Sequence, residues 1–452
     1  MTSAFAPGVL DPIQPNLPPV ERIARIPGGF VAGGMAIGIK ASGRPDLALI
    51  VADRGPAAAT AVFTPNTLAA APVRRSKAVL AASGGWVRAV ISTSGSANAA
   101  TGAAGEADQV TIGALAAGAL GVREDEILHL STGVIGTRLP VDRVAAGIGR
   151  LAPGLAASDA GLEAAANALR TTDSTTKAAT VSGALPDQDG HLREVRVTGI
   201  AKGVGMIHPS MATMLAVILT DAAADPQVLA SILPAVAART WNQLSVDGDT
   251  STNDTVFLIA SGAAGTAPVE AGSPAAATLA DTVEAVARDL ARQQAADGEG
   301  ATCLLTCQVT GGADDADARA VARAVISSSL VKAAAHGKDP NWGRIAGAAG
   351  NARLADAAVL AAGGLRPDAA TARAGTAVAL DPDRLRIAIA GHLVFDGTAG
   401  GPQAFERAAA RTAMGGAEIV IRLDLGLGSG FGEAFGCDLT EAYVRENSEY
   451  TT

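Results

Sequence analysis

The sequence predicts a mixed α/β protein, on three observations. Apolar runs of strand length without helical periodicity recur at 47–52, 58–63, 87–92 and 214–219. Alanine-rich helical stretches alternate with them, and one sets Leu279, Val283, Val286 and Leu290 on a single face. The composition supplies an aliphatic core: 48% of the 452 residues are hydrophobic but only 3% aromatic, and 53 glycines supply many turns. At this length two or three units are expected.

Residues 1–20 carry Pro7, Pro12, Pro15, Pro18 and Pro19, the composition of an extended, mobile leader, and the globular part is expected to begin near Gly28-Gly29-Phe30. The run at 87–92 leads into small polar residues at 93–102, which read as a loop of close backbone approach before a helix at about 105–119. Ser131-Thr132-Gly133-Val134-Ile135-Gly136 reads as a strand-to-loop turn. Its threonine-glycine pair can also present one hydroxyl and one N–H to a single point. A helix over 162–169 ends at a hydroxyl-rich run from Thr171 to Thr176, and 195–200 forms a strand. Asp225-Pro226 opens a helix that Pro234 ends or kinks. Ser273-Pro274 caps the helix with the apolar stripe, which breaks at Asp297-Gly298-Glu299-Gly300. There Glu299 reads either as part of a helix C-terminal turn or as a carboxylate suited to grip an ammonium group. Strands near 386–390 and 418–424 flank a helix at 402–413.

The chain is organised around Ala201 to Leu215, Ala-Lys-Gly-Val-Gly-Met-Ile-His-Pro-Ser-Met-Ala-Thr-Met-Leu. This glycine-punctuated loop launches a strand at a threonine. Thr213 is either an ordinary β-branched strand opener or, if the Ala212-Thr213 bond is cut, a nucleophile with its own base. An unperturbed α-amine has a pKa of about 7.7–8.0, so a useful fraction is neutral near pH 7 and can take the hydroxyl proton. His208 is then not needed as a base. Lys202 taken alone reads as a solvated loop lysine. The acidic run from Asp247 fails as a calcium loop, because its sixth and twelfth positions are Thr252 and Leu258.

A formal net charge of −9 argues against nucleic acids and anionic membranes as partners, because both require basic surface. Cys303, Cys307 and Cys437 form no disulfide framework and have no histidine at ligand spacing, so they read as buried structural residues. No apolar run reaches membrane-span length and the first residues do not read as a signal peptide, so the expected location is the cytoplasm.

Lys202 to Leu215, Ser131 to Gly136, Glu299 between its glycines and the C-terminal Asn447 to Thr452 together resemble the ornithine acetyltransferase (glutamate N-acetyltransferase) family. The resemblance covers nearly the whole chain after the leader. It implies a layered αββα sandwich that cuts itself at Ala212-Thr213 into an α chain (21–212 after the leader) and a β chain (213–452), assembled as α2β2. It implies ping-pong acetyl transfer from N2-acetylornithine to glutamate through acetyl-Thr213, in arginine biosynthesis, with Thr132 and Gly133 as the oxyanion hole. Thr171, Lys202, Thr213, Glu299, Asn447 and Thr452 would contact substrate, with no cofactor or metal. Thr93 and Ser96 stand where the family has asparagine, and Cys303 where it usually has lysine. These departures motivate an alternative, a paralogue with relaxed acyl donor or acceptor in a specialised pathway. Two further alternatives stay open beside it: a self-cleaving aminopeptidase in which water is the acceptor, and acetyl-CoA as an additional donor.

Overall fold

The computed structural model describes residue 13, residues 15–208 and residues 214–448. Its core is a sandwich of two sheets. Phe30–Met35, Leu47–Ala52, Ala89–Ser96 and Ile127–Val134 make a four-stranded sheet in that order. The second runs Trp86–Val87, Ala57–Phe63, Thr255–Ala260, Leu215–Thr220, Leu192–Lys202, Lys177–Pro186.

Strand alternation assigns the layers, because successive side chains leave opposite faces. Leu215, Val217 and Leu219 share one core with Phe30, Ile50, Val90, Leu128 and Leu130 of the facing sheet. Ala216 and Ile218, one residue out of phase, share another with Leu229 and Leu233 of helix Pro226–Arg239 and with Val283, Val286 and Leu290 of helix Pro274–Ala296. On the far side, Leu49, Ile91 and Ile127 pack on Ile112 of helix Gly102–Leu120 and on Val144 and Ile148 of helix Val141–Leu151. The order of layers is helix, sheet, sheet, helix, as the resemblance implied. A third, seven-stranded sheet, centred on Leu304–Gly312 and Glu418–Asp424, carries helix Asp315–Ser327 and a core of its own.

The expected strand at 47–52 and the stripe of Leu279, Val283, Val286 and Leu290 are found as read, and Ser273 caps its helix by accepting from the Ala276 N–H. Three expectations need correction. The helix that opens at Pro226 does not end at Pro234 but continues to Arg239; Leu233, Val236 and Ala237 are buried there, and tertiary packing outweighs the local cost of proline. Asp225 makes no side-chain cap to that helix. The helix expected at 402–413 is only Arg407–Ala413. Of the leader, residues 1–12 and 14 lie outside the described residues, and the remainder is docked. Ile13 exchanges two backbone hydrogen bonds with the Gln308 side chain, at 2.8 and 2.7 Å, and Leu17 and Val20 pack on the helical core.

Candidate active site

A cavity of about 280 Å³ opens where the two sandwich sheets meet the third unit. Thr132 and Gly133, Thr171, Lys202, Glu299 and Asn447 all line it, together with Met214 and Leu215. Ala212, Thr213 and Thr452 lie outside the described residues. Met214 and Leu215 directly follow Thr213 in the sequence.

Each wall has a local cause. Thr132 and Gly133 end strand Ile127–Val134, which pairs in parallel with Ala89–Ser96. Gly133 has φ +126°, and a Cβ there would lie 2.3 Å from the Gly95 carbonyl carbon, so only glycine fits. Lys202 is the last residue of strand Leu192–Lys202, not a loop lysine. Its Nζ donates to Thr132 Oγ1 at 3.3 Å. An ammonium has donors only, so that contact uses the threonine oxygen as acceptor and leaves its hydrogen free to donate elsewhere.

Behind Lys202 is a buried charge cluster. Lys177, fully buried, donates to Asp173 at 2.7 Å and to Asp297 at 2.5 Å. Asp173 also accepts from the N–H groups of Gly203, at 2.9 Å, and Thr171, at 3.1 Å. Burial works against its charge, but Lys177, Lys202 and the Gly203 N–H hold its carboxyl at about 2. Burial pulls the Lys202 pKa down, with Asp173 opposing it.

Glu299 lines the same cavity. Its Oε1 accepts from Thr172 Oγ1 at 2.8 Å and its Oε2 from Asn447 Nδ2 at 2.9 Å. A Cβ on Gly205 would lie 2.2 Å from Oε2, so glycine at 205 makes room for the carboxylate. Helix Glu441–Ser448 brings Asn447 to this point from the far end of the chain. The expected C-terminal turn near Glu299 does exist, and the carboxylate faces the cavity from it.

Two lining residues were missed by sequence reasoning. Thr172, beside the predicted Thr171, makes the side-chain contact to Glu299, while Thr171 meets Asp173 through its backbone. Asn253 belongs to the acidic run that the sequence left unassigned. Its Nδ2 donates to the carbonyls of Ala97, just past strand Ala89–Ser96, and of Ser131, inside strand Ile127–Val134, at 2.7 and 2.8 Å, and so ties these two neighbouring segments of the four-stranded sheet together. Nothing local signals these contacts, because the partners are 156 and 122 residues away. Asp247, in the same run, instead accepts from the N–H groups of Met206 and Ile207 and fixes the loop inside the central segment.

The departures from the family pattern lie away from the cavity lining. Thr93 Oγ1 meets Ser131 Oγ at 2.9 Å, Ser96 Oγ donates to the Thr137 carbonyl at 2.7 Å, and Cys303 is buried with its thiol pushed up to about 11 by burial. All three cysteines are free and buried, as expected. His208 is not among the described lining residues either. Its Nδ1 meets Ser245 Oγ at 3.0 Å, and burial together with Arg323 and Lys332 lowers its pKa to about 4. No helix among the described residues is long and apolar enough to cross a membrane.

The layers and this cavity define the class by fold: an αββα sandwich with a site at the strand ends of its two sheets. The ArgJ family profile matches residues 31–452. The chain is 44% identical over 428 residues to the arginine biosynthesis bifunctional protein ArgJ of Thermus thermophilus, covering 95% of this chain and 99% of that one. It is 43% identical over 426 residues to the ArgJ protein of Gloeobacter violaceus, covering 94% and 96%. Among solved structures it is similar to ArgJ of Bacillus halodurans, at 34% identity and a TM-score of 0.43, over 50% of this chain and 95% of that one. It is also similar to ornithine acetyltransferase of Mycobacterium tuberculosis in complex with ornithine, at 39% identity and a TM-score of 0.39, over 43% and 99%. The chain belongs to the ArgJ family, and its activity is acyl transfer in arginine biosynthesis.

Proposed function

We propose that the chain cuts itself at Ala212-Thr213 and then moves an acetyl group from N2-acetylornithine to glutamate by way of acetyl-Thr213. The observation that carries this reading is the convergence of Thr132, Gly133, Thr171, Lys202, Glu299 and Asn447 on the cavity lined by Met214. They come from five separate stretches of the chain, and an ordinary set of turns and caps has no reason to share one pocket.

In the first half-reaction the Thr213 hydroxyl attacks the acetyl carbonyl and its α-amine takes the hydroxyl proton. The carbonyl oxygen becomes negative and is held by the Thr132 hydroxyl and the Gly133 N–H. The Lys202 ammonium donates to Thr132 Oγ1 at 3.3 Å, which favours aiming the threonine hydrogen at that oxygen. The C–N bond breaks, the α-amine returns its proton to the leaving nitrogen, and ornithine departs with the acetyl left as an ester on Thr213. Glutamate then enters, its amine attacks the ester, and the Thr213 oxygen leaves with a proton. The Glu299 carboxylate, fixed by Thr172 and Asn447, suits the ammonium end of ornithine. Thr452 contacts substrate, the enzyme assembles as α2β2 in the cytoplasm, and the chemistry calls on no cofactor.

Thr93, Ser96 and Cys303 are the changes that would motivate altered specificity. They are engaged in the scaffold and do not line the cavity, which favours the ordinary substrates. Incubation with N2-acetylornithine and no glutamate separates transferase from hydrolase. Ornithine release should stop at one equivalent per site and resume when glutamate is added. Continued release without glutamate would make water the acceptor. The same assay with acetyl-CoA in place of acetylornithine decides whether it is a donor.

A further inference from the structure

A second cavity, of about 670 Å³, lies between helix Asp315–Ser327, helix Trp342–Gly350 and the turn after it. Its size falls in the range of roughly 300–1,000 Å³ that small-molecule sites occupy. Four arginines line it: Arg319, Arg323, Arg344 and Arg353. Among the described residues no aspartate or glutamate lines it. This concentration of positive charge sits in a chain of formal net charge −9.

Among the described residues three of these arginines have no ion-pair partner, and Arg319 has only a long one. Arg319 Nη2 donates to the Gly363 carbonyl at 3.0 Å, and Asp315, largely exposed, lies 3.9 Å from its Nη1. Arg344 and Arg353 donate to the carbonyls of Leu330, at 2.9 Å, and Gly375, at 3.3 Å. Arg323 has no ion pair among the described residues, and its Nε is buried without a hydrogen-bond partner. Burial lowers the Arg323 pKa to about 10, with only Asp356 opposing, so it still carries its charge at neutral pH. Arg319 and Arg323 stand four apart on one helix, a like-charge spacing that destabilises a helix on its own. A half-buried guanidinium with a fully buried, unpartnered Nε, in a cavity shared with three others, is an expensive arrangement with no structural return. An anion in the cavity would supply the missing partner, and a guanidinium fork matches phosphate oxygens in pairs. The rest of the lining is mixed: Leu354, Val359, Leu360 and several alanines supply apolar surface for an organic body, and His208, Gln243, Asn351 and two serines supply polar groups.

We propose that this cavity is a binding site for a phosphorylated small molecule of about nucleotide size, held by Arg319, Arg323, Arg344 and Arg353 and separate from the acyl site. The two cavities have no described lining residue in common. His208, five residues before Thr213, lines this one, and its ring meets Ser327 Oγ at 3.5 Å at the end of the arginine-bearing helix.

The test is calorimetry and thermal melting of the full-length protein with inorganic pyrophosphate, ADP and uncharged adenosine, at low and high salt. Pyrophosphate and ADP should bind and raise Tm, with the effect weakening as salt rises, and adenosine should do neither. Arg323→Met should lose affinity for both phosphates by about 10-fold or more, the cost of a lost charge-assisted hydrogen bond. It should melt no lower than the wild type without ligand, because it removes a half-buried charge with no ion-pair partner and an unsatisfied Nε. That second readout separates a lost site from a lost fold. Failure of pyrophosphate and ADP to bind the wild type would overturn the assignment. So would unchanged binding in an Arg323→Met, Arg353→Met double variant.

Discussion

At the scale of single residues, the proposed site depends on how one hydroxyl is aimed. Thr132 Oγ1 accepts from Lys202, which leaves its hydrogen to meet the charge that develops on the substrate. Thr132→Ala should therefore lower kcat by about 10²–10³, the usual cost of one oxyanion donor, and leave KM nearly unchanged. Steady-state kinetics on a chain confirmed as cleaved by mass spectrometry checks this. A rise in KM at constant kcat would make Thr132 a substrate contact only. Asp173 supports the same wall from behind, and its depressed pKa makes a pH prediction. A carboxyl held at about 2 against an unfolded value near 3.8 stabilises the fold above pH 4 and loses that contribution as pH falls towards 2. The full term is about 2 kcal/mol, of which roughly half is gone at pH 3. Urea unfolding at pH 5 and pH 3 should show a smaller acid loss in Asp173→Asn than in the wild type. The variant should also be less stable at pH 5, because Lys177 loses one of its two carboxylate partners. Equal acid losses in the two proteins would mean that Asp173 is not held low.

At the scale of elements, the C-terminal helix is the one that acts furthest from its place in the sequence. It carries Asn447 onto Glu299, and a Cβ on Gly300 would lie 2.3 Å from the Tyr443 nitrogen, so the helix seats directly on the turn that presents Glu299. Asn447→Ala should leave the fold and self-cleavage intact and raise KM by about 10-fold, on the scale of one hydrogen bond to a charged group. Deleting Tyr450-Thr451-Thr452 should likewise spare cleavage and depress kcat/KM; wild-type kinetics would return the tail to an ordinary chain end. This helix also shows where sequence reading stops. The strand at 47–52 and the stripe of helix Pro274–Ala296 were legible because periodicity is local. The passage of a helix through Pro234 was not, since it depends on the core beneath it. Motif resemblance, not periodicity, pointed to Thr132, Gly133, Lys202, Glu299 and Asn447, and the structure brings all five to one cavity. Thr172 and Asn253 were missed because their roles come from partners more than a hundred residues away.

At the scale of the whole molecule, the proposed cut falls inside the sandwich and not between its units. Strand Leu192–Lys202, before the cut, pairs antiparallel with Leu215–Thr220, after it. Leu215–Thr220 also pairs with Thr255–Ala260, and the strand buries both of its faces. The fragments should therefore stay together through gel filtration and part only in denaturant. Their separation under native conditions would contradict this account of the sheet. Dividing 44.6 kDa in proportion to 212 and 240 residues gives fragments of roughly 21 and 24 kDa. The central claim is that Thr213 is freed by cleavage and then carries the acetyl group. Intact-mass spectrometry of enzyme quenched after N2-acetylornithine is added without glutamate tests it most directly. The account predicts two fragments, the larger beginning Thr-Met-Leu-Ala-Val, with one acetyl group added to that fragment and mapped to Thr213. Glutamate should remove that group before the quench. An active enzyme that stays a single uncut chain, or one whose acetyl maps to any other residue, would contradict it.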